Sequence, residues 1–176
     1  MAIAHFHFEA IHPFRDGNGR TGRVFRVHYL TAKGLLDFPI LFMSRYILDH
    51  KTDYYSCLQG VSQRGNWSDW ILFILRAVEY TAGITFTKIN DIISAKDTIL
   101  DHVKSERKFQ NSTELVEFVF TQPFTKVNHL VEGKLYAEKT ARKYLNDLCD
   151  MQVLEKKTIE GRHYYLNLEL YRILSE

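Results

Sequence analysis

A chain of 176 residues with 45% hydrophobic content can fill one core or two small ones. A net charge of +2 neither demands nor excludes nucleic acid. Two cysteines, Cys57 and Cys149, are too few for a disulfide framework, so reduced thiols are expected. His5, His7, Glu9 and His12 near the start argue against a secretory leader, and apolar runs such as Trp70–Leu75 are too short to span a bilayer. A cytoplasmic protein without a membrane partner is expected.

Taken in chain order, Ile3, Phe6, Ala10 and Ile11 fall at helix-compatible spacing over Ala2–Ile11. Pro13 and the run Asp16-Gly17-Asn18-Gly19 then interrupt regular structure. Val24, Phe25, Val27, Tyr29 and Leu30 restore a helical stripe that ends at a cap near Gly34. The reading is helix, tight loop, helix. From Leu35 to about Lys108 the pattern stays helical. One segment opens at Ser44 and runs through Tyr54, Tyr55 and Leu58 to Val61, with Gly65 and Asn66 breaking it. Asn66 or Ser68 caps the next, which presents Trp70, Ile71, Phe73, Ile74 and Ala77. Thr81, Gly83, Thr85 and Thr87 weaken its middle before a stripe resumes at Ile89. For Tyr54 and Tyr55, core packing is favoured over stacking on a base.

The segment His12-Pro13-Phe14-Arg15-Asp16-Gly17-Asn18-Gly19-Arg20-Thr21-Gly22-Arg23 carries the chemistry. A loop feeding a helix N-terminus is a ready anion site, because the first amides lack partners and the dipole is positive there. Gly17 and Gly19 permit positive φ and close approach of backbone N–H groups to a phosphate. Arg20 and Arg23 are three apart and share a face on which they can grip successive phosphates. Asp16 offers a carboxylate to Mg²⁺, which takes few protein ligands plus phosphate oxygens. Imidazole ordinarily titrates near neutrality, so His12 suits proton abstraction from a hydroxyl. Asn18 donates to phosphate without adding charge, and Phe14 reads as a core anchor for the loop.

This segment matches the motif HxFx(D/E)GNGRxxR of the Fic (filamentation induced by cAMP) family at all eight specified positions. The chain thus resembles a Fic protein, and most Fic enzymes transfer AMP from ATP to a protein hydroxyl. The resemblance implies that His12 deprotonates the target Ser, Thr or Tyr and that Asp16 coordinates Mg²⁺ bridging phosphates. It further implies that Gly17, Asn18 and Gly19 cradle phosphate oxygens while Arg20 and Arg23 hold the outer phosphates. Doc-type kinases of the superfamily carry Lys where Gly19 stands, so Gly19 favours nucleotidyl transfer. In the family, several helices and a β-hairpin flap precede the motif, whereas eleven residues precede His12 here. The expectation is therefore that residues 1–108 form the C-terminal part of a Fic domain. The family's inhibitory motif (S/T)xxxE(G/N) is not matched by Glu132-Gly133, preceded by Asn128, or by Glu160-Gly161, preceded by Lys156.

The polar stretch Arg107–Ser112 reads as a linker to a second domain at residues 109–176. Helices are expected over Thr113–Phe120, Pro123–Val131 (ended by Gly133) and Ala137–Asp150. Strands are expected over Val153–Ile159 and Arg162–Leu168, turning at Glu160-Gly161. This order resembles a winged helix, a module often found after Fic domains. The expected fold class is mainly α: a Fic-type helical bundle followed by a small α+β winged-helix domain. Lys139, Arg142 and Lys143 lie on the helix that would enter DNA, with Lys156, Lys157 and Arg162 on the wing. Glu138, Asp147, Asp150, Glu155 and Glu160 dilute that charge, so target docking or homodimerisation is expected ahead of DNA binding. The alternative to an adenylyltransferase is a catalytically impaired Fic remnant that acts as a nucleotide-, DNA- or protein-binding module.

Overall fold

The computed structural model describes residues 1–175, which divide into two compact units, Met1–Thr87 and the chain from Lys88 onward. In the first unit α1 (Ala2–Ile11) leads through the glycine-bearing loop into α2 (Asn18–Ala32). Gly34, at φ 67°, ends α2, and the Leu35 N–H reaches back to the Leu30 carbonyl at 3.0 Å. This is the left-handed glycine termination expected there. Helices α3 (Ser44–Asp49) and α4 (Lys51–Arg64) follow, and Gly65 at φ 63° closes α4 in the same manner. Asn66 then caps α5 (Trp67–Ser105): its Oδ1 accepts the Asp69 N–H at 3.4 Å.

The threonine- and glycine-bearing middle of α5 does not break it; thirty-nine residues form one helix. The segment contains no proline, and Thr87 returns its hydroxyl to the Gly83 carbonyl at 3.2 Å. Isolated β-branched residues lower helix propensity by only tenths of a kcal/mol, which continuity outweighs. By length and composition α5 is long and apolar enough to cross a membrane, although Arg76 and Glu79 interrupt its apolar runs. Its first turns nevertheless form the core of the first unit: Trp70, Phe73, Ile74 and Ala77 are buried against Phe6, Met43, Tyr46, Tyr54 and Val61.

The second unit takes Val103 from the end of α5 into its core. After the irregular stretch at residues 106–111 come α6 (Ser112–Val119), β1 (Phe124–Thr125), α7 (Val127–Glu132) and α8 (Glu138–Asp150). Then follow β2 (Leu154–Ile159), β3 (Arg162–Asn167) and α9 (Leu168–Ser175). The three strands form an antiparallel sheet in the order β1-β3-β2, with Tyr165 paired to Thr125 on one side and Lys156 on the other. The β2–β3 turn has positive φ at Glu160 (49°) and Gly161 (73°), the conformation a two-residue hairpin requires. Leu115, Val116, Val119, Leu130, Leu145 and Leu148 fill the space beneath the sheet.

Two elements differ from expectation. Phe124 and Thr125 were expected inside a helix from Pro123; they add a short strand to β3, and the helix begins only at Val127. The chain after β3 is also helical, because Asn167 acts as a cap: its Oδ1 accepts the Leu170 N–H at 3.0 Å and its Nδ2 donates to the Val119 carbonyl at 3.1 Å. Mainly helical architecture with one small antiparallel sheet is the fold class expected.

Candidate active site

Helix α1 is fixed to the core before it reaches the loop. Phe6 is buried edge-on against Trp67 at 4.9 Å, and the Trp70 indole N–H donates to the Ala2 carbonyl at 3.0 Å. His12 ends the helix in the left-handed region, at φ 50° and ψ 56°, with its N–H on the Phe8 carbonyl at 3.1 Å. A residue with a Cβ adopts that conformation at some energetic expense. The His12 side chain is exposed.

The loop is held by its own polar groups. Asn18 is buried, and its Oδ1 accepts the Phe14 N–H at 3.0 Å while its Nδ2 donates to the Phe14 carbonyl. Asn18 was expected on phosphate; its amide instead fixes the loop. Phe14, expected as a core anchor, is half exposed and meets Phe8 at 6.3 Å between ring centres. The loop is therefore positioned by hydrogen bonds more than by burial. Gly17 sits at φ 89° immediately before α2, and no side chain caps that helix. The Thr21 N–H is the first to find a helical carbonyl, that of Gly17 at 2.9 Å. The amides of Asn18, Gly19 and Arg20 are thus the orphan donors of the helix N-terminus.

Asp16 and Arg20 flank those amides. Asp16 Oδ1 accepts the Gly17 N–H at 2.7 Å, and its Oδ2 lies 3.0 Å from Arg20 Nη2. Arg20 folds back so that Nη2 is 3.5 Å from where a Cβ on Gly17 would stand. Arg23 does the same over Gly19, at 3.9 Å. His12, Asp16, Gly19, Arg20 and Arg23 are all exposed. The arginines diverge, however. Arg20 turns to the loop carboxylate, while Arg23 and Gly19 line a cavity of about 520 Å³ that His12, Asp16 and Arg20 do not reach.

Among the described residues no group of three or more His, Cys, Asp or Glu side chains is placed to hold a metal. The single carboxylate of Asp16 fits a cation that draws most of its ligands from phosphate and water, as Mg²⁺ does. Each Asp16 oxygen accepts one hydrogen bond and keeps a lone pair, and the side chain is 91% exposed.

Behind the loop lies a buried polar cluster that sequence reasoning did not find. His5 is 1% exposed, shares a hydrogen bond of 3.1 Å with the Tyr54 hydroxyl through Nε2, and stacks on Trp70. Burial, with the Arg26 charge second, pushes its pKa down to about 3, so the imidazole is neutral. Its 3.9 Å approach to Glu9 is accordingly not an ion pair. Arg26 is 3% exposed, and burial lowers its pKa against the opposing charges of Tyr54 and Glu9. Burial also raises the Tyr54 hydroxyl. Gly22 makes room for this cluster: a Cβ there would clash with the Glu9 carboxylate and stand 3.2 Å from His5 Cε1. The Gly22 spacing within the motif was the one available signal of close helix packing.

In the second unit Lys139, Arg142 and Lys143 are exposed on α8, and Arg142 pairs with Glu138 at 2.7 Å. Arg142 lines a cleft of about 360 Å³ together with Lys126, Val127, Asn128, Arg162 and His163; Lys139 and Lys143 do not line it. On the hairpin, Lys157 pairs with Glu155 at 2.7 Å and Lys156 lies over the Tyr165 ring.

Comparison with known families finds a match within each unit. Residues 1–30 match the family described as Fic/DOC, and residues 96–170 match the one described as "Protein adenylyltransferase SoFic-like, C-terminal domain". A protein adenylyltransferase Fic of Aedes aegypti is 28% identical over 119 residues, which are 65% of this chain and 22% of that protein. Proteins of the same name from Nematostella vectensis and Culex quinquefasciatus are each 35% identical over 80 residues, 46% of this chain and 17% and 15% of theirs. The chain spans about a fifth of the length of the curated relatives it matches.

Proposed function

The chain belongs to the Fic family, and on that premise we propose that it transfers AMP from ATP to a hydroxyl side chain of a target protein. The observation that carries this reading is the uncapped start of α2, whose amides at Asn18, Gly19 and Arg20 find no helical carbonyl and follow directly on the Asp16 carboxylate. Such amides bind phosphate oxygens without reorganising, and in a transfer they stabilise charge that develops on the reacting phosphate. An imidazole nitrogen of His12 takes the proton of a Ser, Thr or Tyr hydroxyl. The hydroxyl oxygen then bonds to the α-phosphorus, the bond from that phosphorus to the bridging oxygen breaks, and pyrophosphate leaves with the electron pair. Arg20 and Arg23 hold the outer phosphates. Mg²⁺, which Asp16 would hold, neutralises phosphate charge when bound. Asn18 acts by keeping the amides aligned. Gly19, in place of the lysine of Doc-type kinases, supports nucleotidyl over phosphoryl transfer.

We read the second unit as a winged helix that recruits the target or a second copy, and place the reaction in the cytoplasm. The test is incubation of the full chain with labelled ATP and Mg²⁺ in lysate. Labelling that His12→Ala removes supports the transferase; nucleotide binding without any labelling rejects it.

The cleft formed by Lys126, Arg142, Arg162 and His163 favours a second reading, in which the chain is a binding module and this surface meets nucleic-acid phosphates. That reading expects salt-sensitive retention on DNA, lost when Arg142→Glu is combined with Lys143→Glu. Retention unchanged by the double reversal rejects it.

A further inference from the structure

Arg26 is the most buried cation among the described residues, and its Nε and Nη1 meet no acceptor. A guanidinium removed from water without acceptors loses hydration that nothing replaces, a cost that native structures rarely carry without reason. Arg26 lines the cavity of about 520 Å³ in the first unit, and Arg23 and Lys51 line it too. Neither Arg23 nor Lys51 has a carboxylate within 4.0 Å among the described residues. Among the described residues Glu9 is the only carboxylate that lines the cavity, so three cations face one anion. His5, also on the wall, is neutral and adds no charge. The Ser44 and Tyr54 side chains bring hydroxyl groups to the lining.

We propose that this cavity is an anion site for a phosphate-class oxyanion, bound by Arg26 with Arg23 and Lys51 beside it. The excess of two positive charges matches a dianion, and tetrahedral oxygens can meet cations arriving from α2 and from the start of α4 together. A planar carboxylate would satisfy the Arg26 fork but leave Lys51 unmatched. The site adjoins the start of α2 through Gly19 and Arg23 and to that extent rests on the proposed nucleotide loop, but His12, Asp16 and Arg20 do not line it. Its occupant is a free oxyanion or the distal phosphate of a nucleotide held at the loop.

Calorimetry on the full chain with inorganic phosphate, pyrophosphate, ATP and AMP tests this. Saturable uptake of phosphate or pyrophosphate is expected, weakened at least tenfold by Arg26→Met and several-fold by Lys51→Met. Arg26→Met weakening ATP but not AMP assigns the anion to the nucleotide's distal end; phosphate uptake undisturbed by saturating ATP assigns a free anion. Should Arg26→Met fail to fold by circular dichroism, the exposed Lys51 decides, and phosphate affinity unchanged in Lys51→Met overturns the proposal. Absence of saturable uptake overturns it as well, as does uptake that Arg20→Ala abolishes and Arg26→Met spares. None of these outcomes depends on labelling by ATP, so a failure of the transferase reading leaves the result standing.

Discussion

Asn18 and Phe14 are joined twice: the Asn18 amide accepts the Phe14 N–H and donates to the Phe14 carbonyl, closing the motif loop on itself four residues apart. The pairing sets where α2 begins and hence where its free amides point. Asn18→Ala leaves both Phe14 groups to find other partners and is expected to cost about 1–3 kcal/mol of stability. ATP affinity should fall with it, because the amides lose their alignment. Asn18→Asp keeps the acceptor and loses the donor, so it should fall between. Urea unfolding and ATP calorimetry on the three proteins give the ranking, and an alanine variant equal to the parent in both would show that the loop needs no such brace.

His12 holds a backbone conformation that glycine adopts freely. His12→Gly should therefore raise stability relative to His12→Ala by roughly 1 kcal/mol, the penalty of a Cβ in the left-handed region. Both variants should lose transfer by roughly 10²-fold or more, the usual contribution of a positioned base. The informative pattern is a more stable protein that no longer labels its target. Equal stability of the two variants would place the left-handed cap in doubt.

Gly22 admits α1 beside α2 at a distance that a methyl group would spoil. In Gly22→Ala the Glu9 carboxylate has to swing aside and the buried His5 ring has to give by a few tenths of an ångström. A loss of about 1–3 kcal/mol is expected. Glu9→Ala in the same chain should recover part of it, since the carboxylate is the nearer obstacle, and a double-mutant cycle of thermal midpoints measures that coupling.

The neutral, buried His5 makes stability depend on pH. The unfolded chain binds a proton on this side chain below about 6.5, while the native state resists until about 3. Between those values the unfolded state holds more protons, so stability falls as pH falls, by up to ~1.4 kcal/mol per pH unit from this group. His5→Gln should flatten the slope of unfolding free energy over that window by about one proton. Denaturant titrations at pH 4, 5, 6 and 7 provide the measurement, and parallel slopes in the two proteins would refute the assignment.

The motif loop was legible because its determinants are contiguous. The glycines, the asparagine and the charges from His12 to Arg23 act within a few residues of one another, and spacing alone brings them to one helix end. The caps at Gly34, Gly65 and Asn66 and the turn at Glu160-Gly161 were legible for the same reason. What escaped was set by distance in sequence. His5 and Tyr54 meet across 49 positions, and Arg26 is polar on a face that periodicity assigns to the core. Phe124 and Thr125 become a strand only because β3 returns beside them forty residues later. The inward turn of the Asn18 amide was equally invisible, since its partner is a backbone group that exists only after the loop has formed.

Both tryptophans of the chain, Trp67 and Trp70, pack against α1, and the half from Lys88 onward contains none. Ultraviolet emission therefore watches the mounting of the histidine-bearing helix and nothing in the other half. Quenching or a red shift that precedes the far-ultraviolet dichroism transition would reveal the first helix detaching ahead of global melting, so that a spectroscopic probe of the motif's support is already present without any added dye.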